Sequence, residues 1–202
     1  MQSIEVERVK MQIRTNFQEI FFHPEVEQEH LASWIKLGIV RELAPKIYSS
    51  NLKDNPVDIF RRNWHEIVSN QYPGSLISHR TALADKPTES GDIFLTAPYT
   101  KNVEFPGLTL HFKQGHPPMN GDHQYYGNVY VSEQARAYLE NMQTHSGTEI
   151  DRTAPIEDIE QRLDVIIRMY GEPELINVRN KAKELAHKLG MSKEFEKLDS
   201  IF

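Results

Sequence analysis

Residues 91–112 read GDIFLTAPYTKNVEFPGLTLHF. Two apolar runs inside this stretch, DIFLTA at 92–97 and GLTLHF at 107–112, are short and bounded by Gly and Pro, which marks both as strands. The stretch from Tyr125 to Val131 reads as a third strand, after a Gly/Pro/Asn loop, QGHPPMNGDHQ, at 114–124. Upstream, Asn55 followed by Pro56 opens a helix. Val57, Phe60, Trp64, Ile67 and Val68 recur along it at helical spacing, and Tyr72-Pro73-Gly74 ends it. Downstream, Ser132 is expected as the N-cap of a helix carrying Ala135, Tyr138, Leu139 and Met142. Residues 53–150 are therefore expected to form a mixed α/β module with a small antiparallel sheet.

Residues 151–202 read as a helical connector. Thr153 and Pro155 open a helix with Ile156, Ile159, Leu163, Ile166, Ile167 and Tyr170 on one face, and Gly171 closes it. A second helix places Leu175, Val178, Ala182, Leu185 and Leu189 together and closes at Gly190, and Phe195, Leu198 and Ile201 begin a third. Residues 1–52 have the outline of a winged helix: three short helices, then a hairpin. Ile4, Val9 and Ile13 share a face of the first helix, and the second runs from Asn16 towards Phe22. The third is PEVEQEHLASWIKLG at 24–38, with Leu31, Trp34 and Ile35 inward and Gly38 as its cap. IVRELAPKIYSS at 39–50 then gives two strands turning at Ala44–Pro45. The expected class is α+β, in three units.

Composition sets outer limits. The chain has 202 residues, 39% hydrophobic and 26% charged, with no cysteine. That is an ordinary globular composition, and it excludes a disulfide scaffold, cysteine-ligated metal centres and a thiol nucleophile. The start MQSIEVERVK carries charges where a signal peptide needs an apolar stretch, and no uncharged apolar run approaches a membrane span. A cytoplasmic protein with no membrane partner is expected. The net charge is −6, and none of the three units is basic, which lowers the expectation of binding through phosphate neutralisation.

Motifs for chemistry are sparse. Neither GxGxxG nor GxxxxGK(S/T) occurs, nor GxSxG, nor HExxH. His111, His116 and His123 lie close in sequence beside Asp122, but strand-end spacing does not force the rings to converge; they read as loop histidines. No metal, cofactor or catalytic residue is expected. Ser78-His79 sits at a helix start, and His79 as a base beside Asp85 or Asp92 would make a hydrolase. The preferred reading is an N-cap serine with a solvated histidine.

The series LASWIKLGIVRELAPKIYSSNLKDNPVDIFRRNWHEIV, YPGSLISHRTALADKPTESGDIFLTAPYT, FPGLTL and NVYVSEQARAYLENMQ resembles the amino-terminal region ahead of the Fic domain in a class of bacterial Fic-family proteins. The closing stretch from Arg162, RLDVIIRMYGEPELINVRNKAKELAHKLGMSKEFEKLDSIF, is similar to the helical segment leading into that domain. The part before Tyr48 and the segment Leu76–Leu83 also resemble the AbiEi antitoxin-like family, in which a winged helix precedes a mixed α/β domain. The resemblance implies a regulator that binds operator DNA or opposes a toxin partner. The Fic motif HxFx(D/E)GNGR is absent, as is the strict inhibitory motif (S/T)xxxE(G/N). The chain is therefore expected to be non-enzymatic, with double-stranded DNA, a Fic domain or a toxin as partner.

For DNA, the expected residues are Arg14, His30, Ser33, Lys36, Arg41 and Lys46, with His30 and Ser33 towards bases, Lys36 on phosphate, and Arg41 and Lys46 from the wing. Against this, Glu25, Glu27 and Glu29 on the same helix would repel phosphates. The alternative is a protein-interaction module. The two readings separate on whether Arg41, Lys46, Arg61 and Arg62 lie open on one face with Arg14 or are paired within the chain, as with Glu25, Glu27 or Asp58.

Overall fold

The structure is a computed structural model that describes residues 19–23, 26, 28–144 and 152–202. It is a mixed α+β arrangement with two sheets. The expected first helix, with Ile4, Val9 and Ile13, lies outside the described residues, as do Pro24, Glu25 and Glu27.

The described chain opens with strand β1 (Ile20–Phe22), helix α1 (Gln28–Lys36) and the hairpin β2 (Arg41–Ala44) and β3 (Ile47–Ser49). The helix-then-hairpin order is as expected, but Ile20–Phe22 is a strand and not the end of a helix. It pairs antiparallel with β3, Ile20 opposite Ser49 and Phe22 opposite Ile47. The reason is a period of two. Ile20 and Phe22 enter one apolar cluster, with Ile47 and Ile59. Phe21 enters another, with Val26, Leu31, Ile39 and Val40. On α1, Leu31 is buried and Trp34 half-buried, whereas Ile35, expected inward, is exposed. Gly38, at φ +63°, ends the helix: its amide donates to the Ile35 carbonyl at 3.0 Å, and the Ile39 amide donates to that of Trp34 at 2.9 Å.

Helix α2 (Pro56–Arg62) starts where expected, with the Asn55 side chain accepting from the Val57 amide at 3.0 Å. The single helix expected here is two. Asn63 interrupts it by donating its side-chain amide to the Ile59 carbonyl at 2.8 Å, and α3 (Trp64–Gln71) follows.

The second sheet is six-stranded: β4 (Leu76–Ile77), β5 (Asp92–Ala97), β6 (Lys101–Phe105), β7 (Leu108–Gln114), β8 (His123–Tyr126) and β9 (Val129–Val131), in the order β6-β7-β5-β4-β9-β8. It is mixed where a small antiparallel sheet was expected, because β5 runs parallel to β7 and β4 parallel to β9. The expected strand Tyr125–Val131 is a hairpin that turns at Gly127. One face of the sheet is apolar: Ile93, Leu95, Leu110 and Phe112 pack with Phe60, Trp64 and Ile67 of α2 and α3. On the opposite face the alternate residues Asp92, Thr96, His111 and Lys113 are polar, with buried Phe94 between them stacked on His111.

Helices α4 (His79–Ala84) and α5 (Gln134–Asn141) follow β4 and β9. Helix α5 packs through Ala135, Tyr138, Leu139 and its neighbour Met142 onto α6 (Ile156–Tyr170), α7 (Glu172–Leu189) and α8 (Ser192–Asp199). Gly171 and Gly190 sit at the expected ends of α6 and α7. On α6 the buried stripe is Ile159, Leu163 and Ile166; Ile156, Ile167 and Tyr170, expected with it, are exposed. Ser132 does not cap α5 but turns its hydroxyl inward, and Glu133 takes the cap position. Among the described residues no helix is long and apolar enough to cross a membrane.

Candidate functional site

Of the residues expected at DNA, Arg14 lies outside the described residues. His30, Ser33 and Lys36 are exposed on α1, with the His30 ring stacked on Trp34 at 6.3 Å between centroids. Lys46 is exposed in the hairpin turn at φ +67°. Arg41 is not held out to solvent in the same way: its Nη2 donates to the Asp54 carbonyl, and its Nε is buried. Arg61 donates Nε to the Gly107 carbonyl and Nη2 to that of Glu89, both at 3.0 Å. Arg62 is clamped by the carboxylates of Glu19 and Asp54. Three of the four cations that separate the two readings are thus engaged by the chain itself, with partners other than those anticipated.

A second constellation lies behind the polar face of the large sheet. His79 follows β4 directly and adopts φ +51°, a left-handed conformation that a histidine seldom takes. It is held there by Glu140, whose Oε2 accepts from the His79 amide at 3.1 Å and from the Ser132 hydroxyl at 2.8 Å. The other carboxylate oxygen of Glu140 accepts from Arg136 Nε at 2.8 Å. Arg136 also donates to Asp122 and to the carbonyls of His116 and Pro117. Arg136 and Glu140 are both buried. Burial pushes the Glu140 carboxyl above its ordinary range, against the pull of Arg136.

The expected solvated histidine is therefore a buried one, while Ser78 takes the expected N-cap position of α4 but makes no cap hydrogen bond through its side chain. Ser78 instead links two neighbours. Thr96 Oγ1 donates to Ser78 Oγ at 3.0 Å, and Ser78 Oγ lies 2.9 Å from His79 Nδ1. The far ring nitrogen, Nε2, lies 3.2 Å from Gln143 Oε1, which also accepts from Lys113 Nζ at 3.4 Å. A cavity of about 290 Å³ opens here, lined by His79, Thr96, Lys113, Arg136, Glu140 and Gln143 among others. A strained, buried histidine beside convergent polar groups in a cavity has the form of a ligand site. Of these residues the sequence singled out Ser78 and His79, and, for a different chemistry, His116 and Asp122; Lys113, Arg136, Glu140 and Gln143 carry no local signal.

Neither carboxylate proposed as a partner for His79 reaches it. Asp92 accepts from or pairs with His111 at 2.7 Å and takes hydroxyl hydrogen bonds from Thr88 and Ser90. Asp85 accepts from the Tyr125 hydroxyl at 2.5 Å, and that oxygen is 2.9 Å from His65 Nε2. Asp122 is bound to Arg136, so it is not placed to complete a metal site with His111, His116 and His123. Among the described residues no group of three His, Asp or Glu is arranged for a metal ion.

A third feature is a groove of about 820 Å³ between α4, the turn at 86–90 and α6, rimmed by Arg80, Lys86 and Arg162 and by Glu89 and Asp158. Asp158, Arg162, Val165 and Met169 recur at helical spacing, so the α6 wall of the groove continues into exposed Val165 and Met169. Met169 is 66% and neighbouring Tyr170 67% exposed, and Ile176 on α7 is exposed as well.

No family model matches the chain, and no curated protein matches it.

Proposed function

We propose that the chain is a non-catalytic regulatory module that binds a protein partner through α6, in the manner that its resemblance to Fic-associated and AbiEi-like regions implies. The observation that carries this reading is the apolar outer surface of α6, Val165 and Met169, running on from a groove rimmed by Arg80, Lys86 and Arg162 and by Glu89 and Asp158. Large exposed apolar side chains grouped on one element mark interaction surfaces, whereas scattered ones do not. The fitting partner offers an apolar strip flanked by charges of both signs that complement this rim. Direct DNA binding is the weaker reading, because Arg41, Arg61 and Arg62 are engaged internally and the net charge is −6.

Fluorescence anisotropy with the native upstream duplex, across a salt series, separates the two. Little binding at low salt is expected. Sequence-preferring binding that weakens steeply with salt would sink the partner-only reading. In parallel, a Fic-domain or toxin protein of the kind the resemblance implies is expected to co-elute with the wild-type chain and not with Val165→Glu/Met169→Glu. Co-elution that survives the double substitution would move the interface elsewhere.

A further inference from the structure

We propose that Tyr72, Tyr99 and Phe112 form an aromatic cage that binds a quaternary ammonium group, in the place where Lys101 of the same chain now rests its own ammonium. Lys101 Nζ lies 4.6 Å from the centre of the Tyr72 ring, 5.0 Å from that of Tyr99 and 5.4 Å from that of Phe112. A cation over one ring is ordinary in a chain of this length. Three rings converging on one ammonium have the form that recognises methylated amines.

Separate elements bring the rings together. Phe112 on β7 lies directly opposite Lys101 on β6 in the antiparallel register. Tyr72 follows α3, and Tyr99 lies in the connection between β5 and β6. The buried Phe112 ring is the floor. Its centroid is 4.7 Å from that of Tyr72 and 5.5 Å from that of Tyr99, with the planes tilted at 55° and 49°. The two tyrosines are therefore walls. Tyr99 is 39% exposed and Lys101 is exposed, so the cage opens to solvent.

Lys101 occupies the cage without being locked into it. Among the described residues no carboxylate pairs with its ammonium, and the three ring faces are its partners. Those faces attract positive charge on a primary or a quaternary nitrogen alike. Hydration separates the two cations. A primary ammonium is compact and strongly hydrated, with three N–H donors that ring faces serve poorly. A quaternary nitrogen has no N–H to satisfy, and its methyl groups gain by leaving water for the rings. Exchange returns Lys101, on a flexible stem at an edge strand, to solvent and seats the better-fitting cation. The cage uses no residue of α6 or of the groove beside it, so the inference does not depend on the partner reading.

Proton NMR titration of the full chain with tetramethylammonium chloride, against sodium chloride at equal ionic strength, tests this. Saturable binding on the order of millimolar is expected, with the ligand methyl resonance shifted upfield by the rings. Lys101→Ala empties the cage and should bind roughly tenfold tighter, because the internal competitor is gone. Tyr99→Leu should weaken binding several-fold while circular dichroism stays unchanged. Choline and Nα-acetyl-trimethyllysine amide, titrated alongside, distinguish a free quaternary amine from a modified side chain, the tighter of the two naming the source. No saturation, the same shifts with sodium, or an affinity unchanged in Tyr99→Leu would each overturn the cage. An affinity unchanged in Lys101→Ala, or binding by that variant alone, would overturn the exchange with Lys101.

Discussion

The carboxylate of Glu19 and the guanidinium of Arg62 meet fork to fork across 43 residues of chain, Arg62 Nε donating to Oε2 at 2.6 Å and Nη2 to Oε1. The same carboxylate accepts from the side chains of Asn51 and Asn63, each at 2.7 Å. The three-stranded sheet and the α2–α3 pair are tied at this point. Arg62, with the two asparagines, holds the Glu19 carboxyl at about 2 against the opposing effect of burial.

A carboxyl whose folded value is depressed stabilises the fold above its unfolded range and loses that contribution as pH falls through the folded value. Urea midpoints are therefore expected to drop between about pH 4.5 and 2, and Glu19→Gln should flatten the drop. Arg62 is partly exposed, so the effect at neutral pH is set at about 1–2 kcal/mol. Parallel pH profiles of the two proteins would contradict the clamp.

His65 supplies a slope of its own nearer neutrality. It lies against Trp64, ring centroids 3.7 Å apart, and burial holds its imidazole below the ordinary range, opposed by Asp85. A base with a depressed folded value favours its neutral form in the native state. Its contribution is present above about pH 6.5 and is lost as pH falls below that. Thermal midpoints at pH 7 and 5 should differ less in His65→Gln than in the wild type; an unchanged difference would assign the slope to other groups.

Arg136→Met should destabilise the chain by about 3–5 kcal/mol, since it leaves the buried Glu140 and Asp122 without their cation. Adding Glu140→Gln and Asp122→Asn to that variant should recover part of the loss. Chemical denaturation reads both steps. A triple variant no better than the single one would mean that packing, not charge, dominates here.

Gly91→Ala and Gly38→Ala form a matched pair. Both residues have positive φ, but a Cβ on Gly91 would sit 2.1 Å from the Gly107 carbonyl oxygen, whereas one on Gly38 meets nothing within 4 Å. The Gly38 change should cost about 1 kcal/mol from the backbone alone. The Gly91 change should exceed it by about 2 kcal/mol or more, because backbone must shift to clear the clash. Equal midpoints would remove the close approach as a constraint.

The parts of the fold legible in the sequence are those set within a few residues. The Asn55 cap, the 41–49 hairpin, the strand at 92–97 and the helix-ending glycines 171 and 190 all follow from local chemistry. Ile20–Phe22 was not legible, because three apolar residues fit a helix or a strand equally and the deciding partner, β3, lies beyond α1. The mixed sheet was hidden for the same reason: β4 finds β9 only through a distant pairing. The Ser78-His79 pair drew notice as a dipeptide, but its burial depends on Glu140 and Gln143, more than sixty residues on in the case of each contact with His79. A histidine in the left-handed region gives no warning in sequence, since that conformation is normally signalled by Gly, Asn or Asp.

The order of the large sheet has a consequence for synthesis. Strand β4 lies between β5 and β9, and β9 follows it by about fifty residues. At about 5–20 residues per second, a ribosome delivers that second neighbour roughly 3–10 s after β4 has been made. During this interval Leu76 and Ile77 can pair with β5 alone, and their other edge stands open to any nascent strand nearby. Arrest of translation before residue 129 should thus leave a sticky intermediate, and release past 131 should seal it.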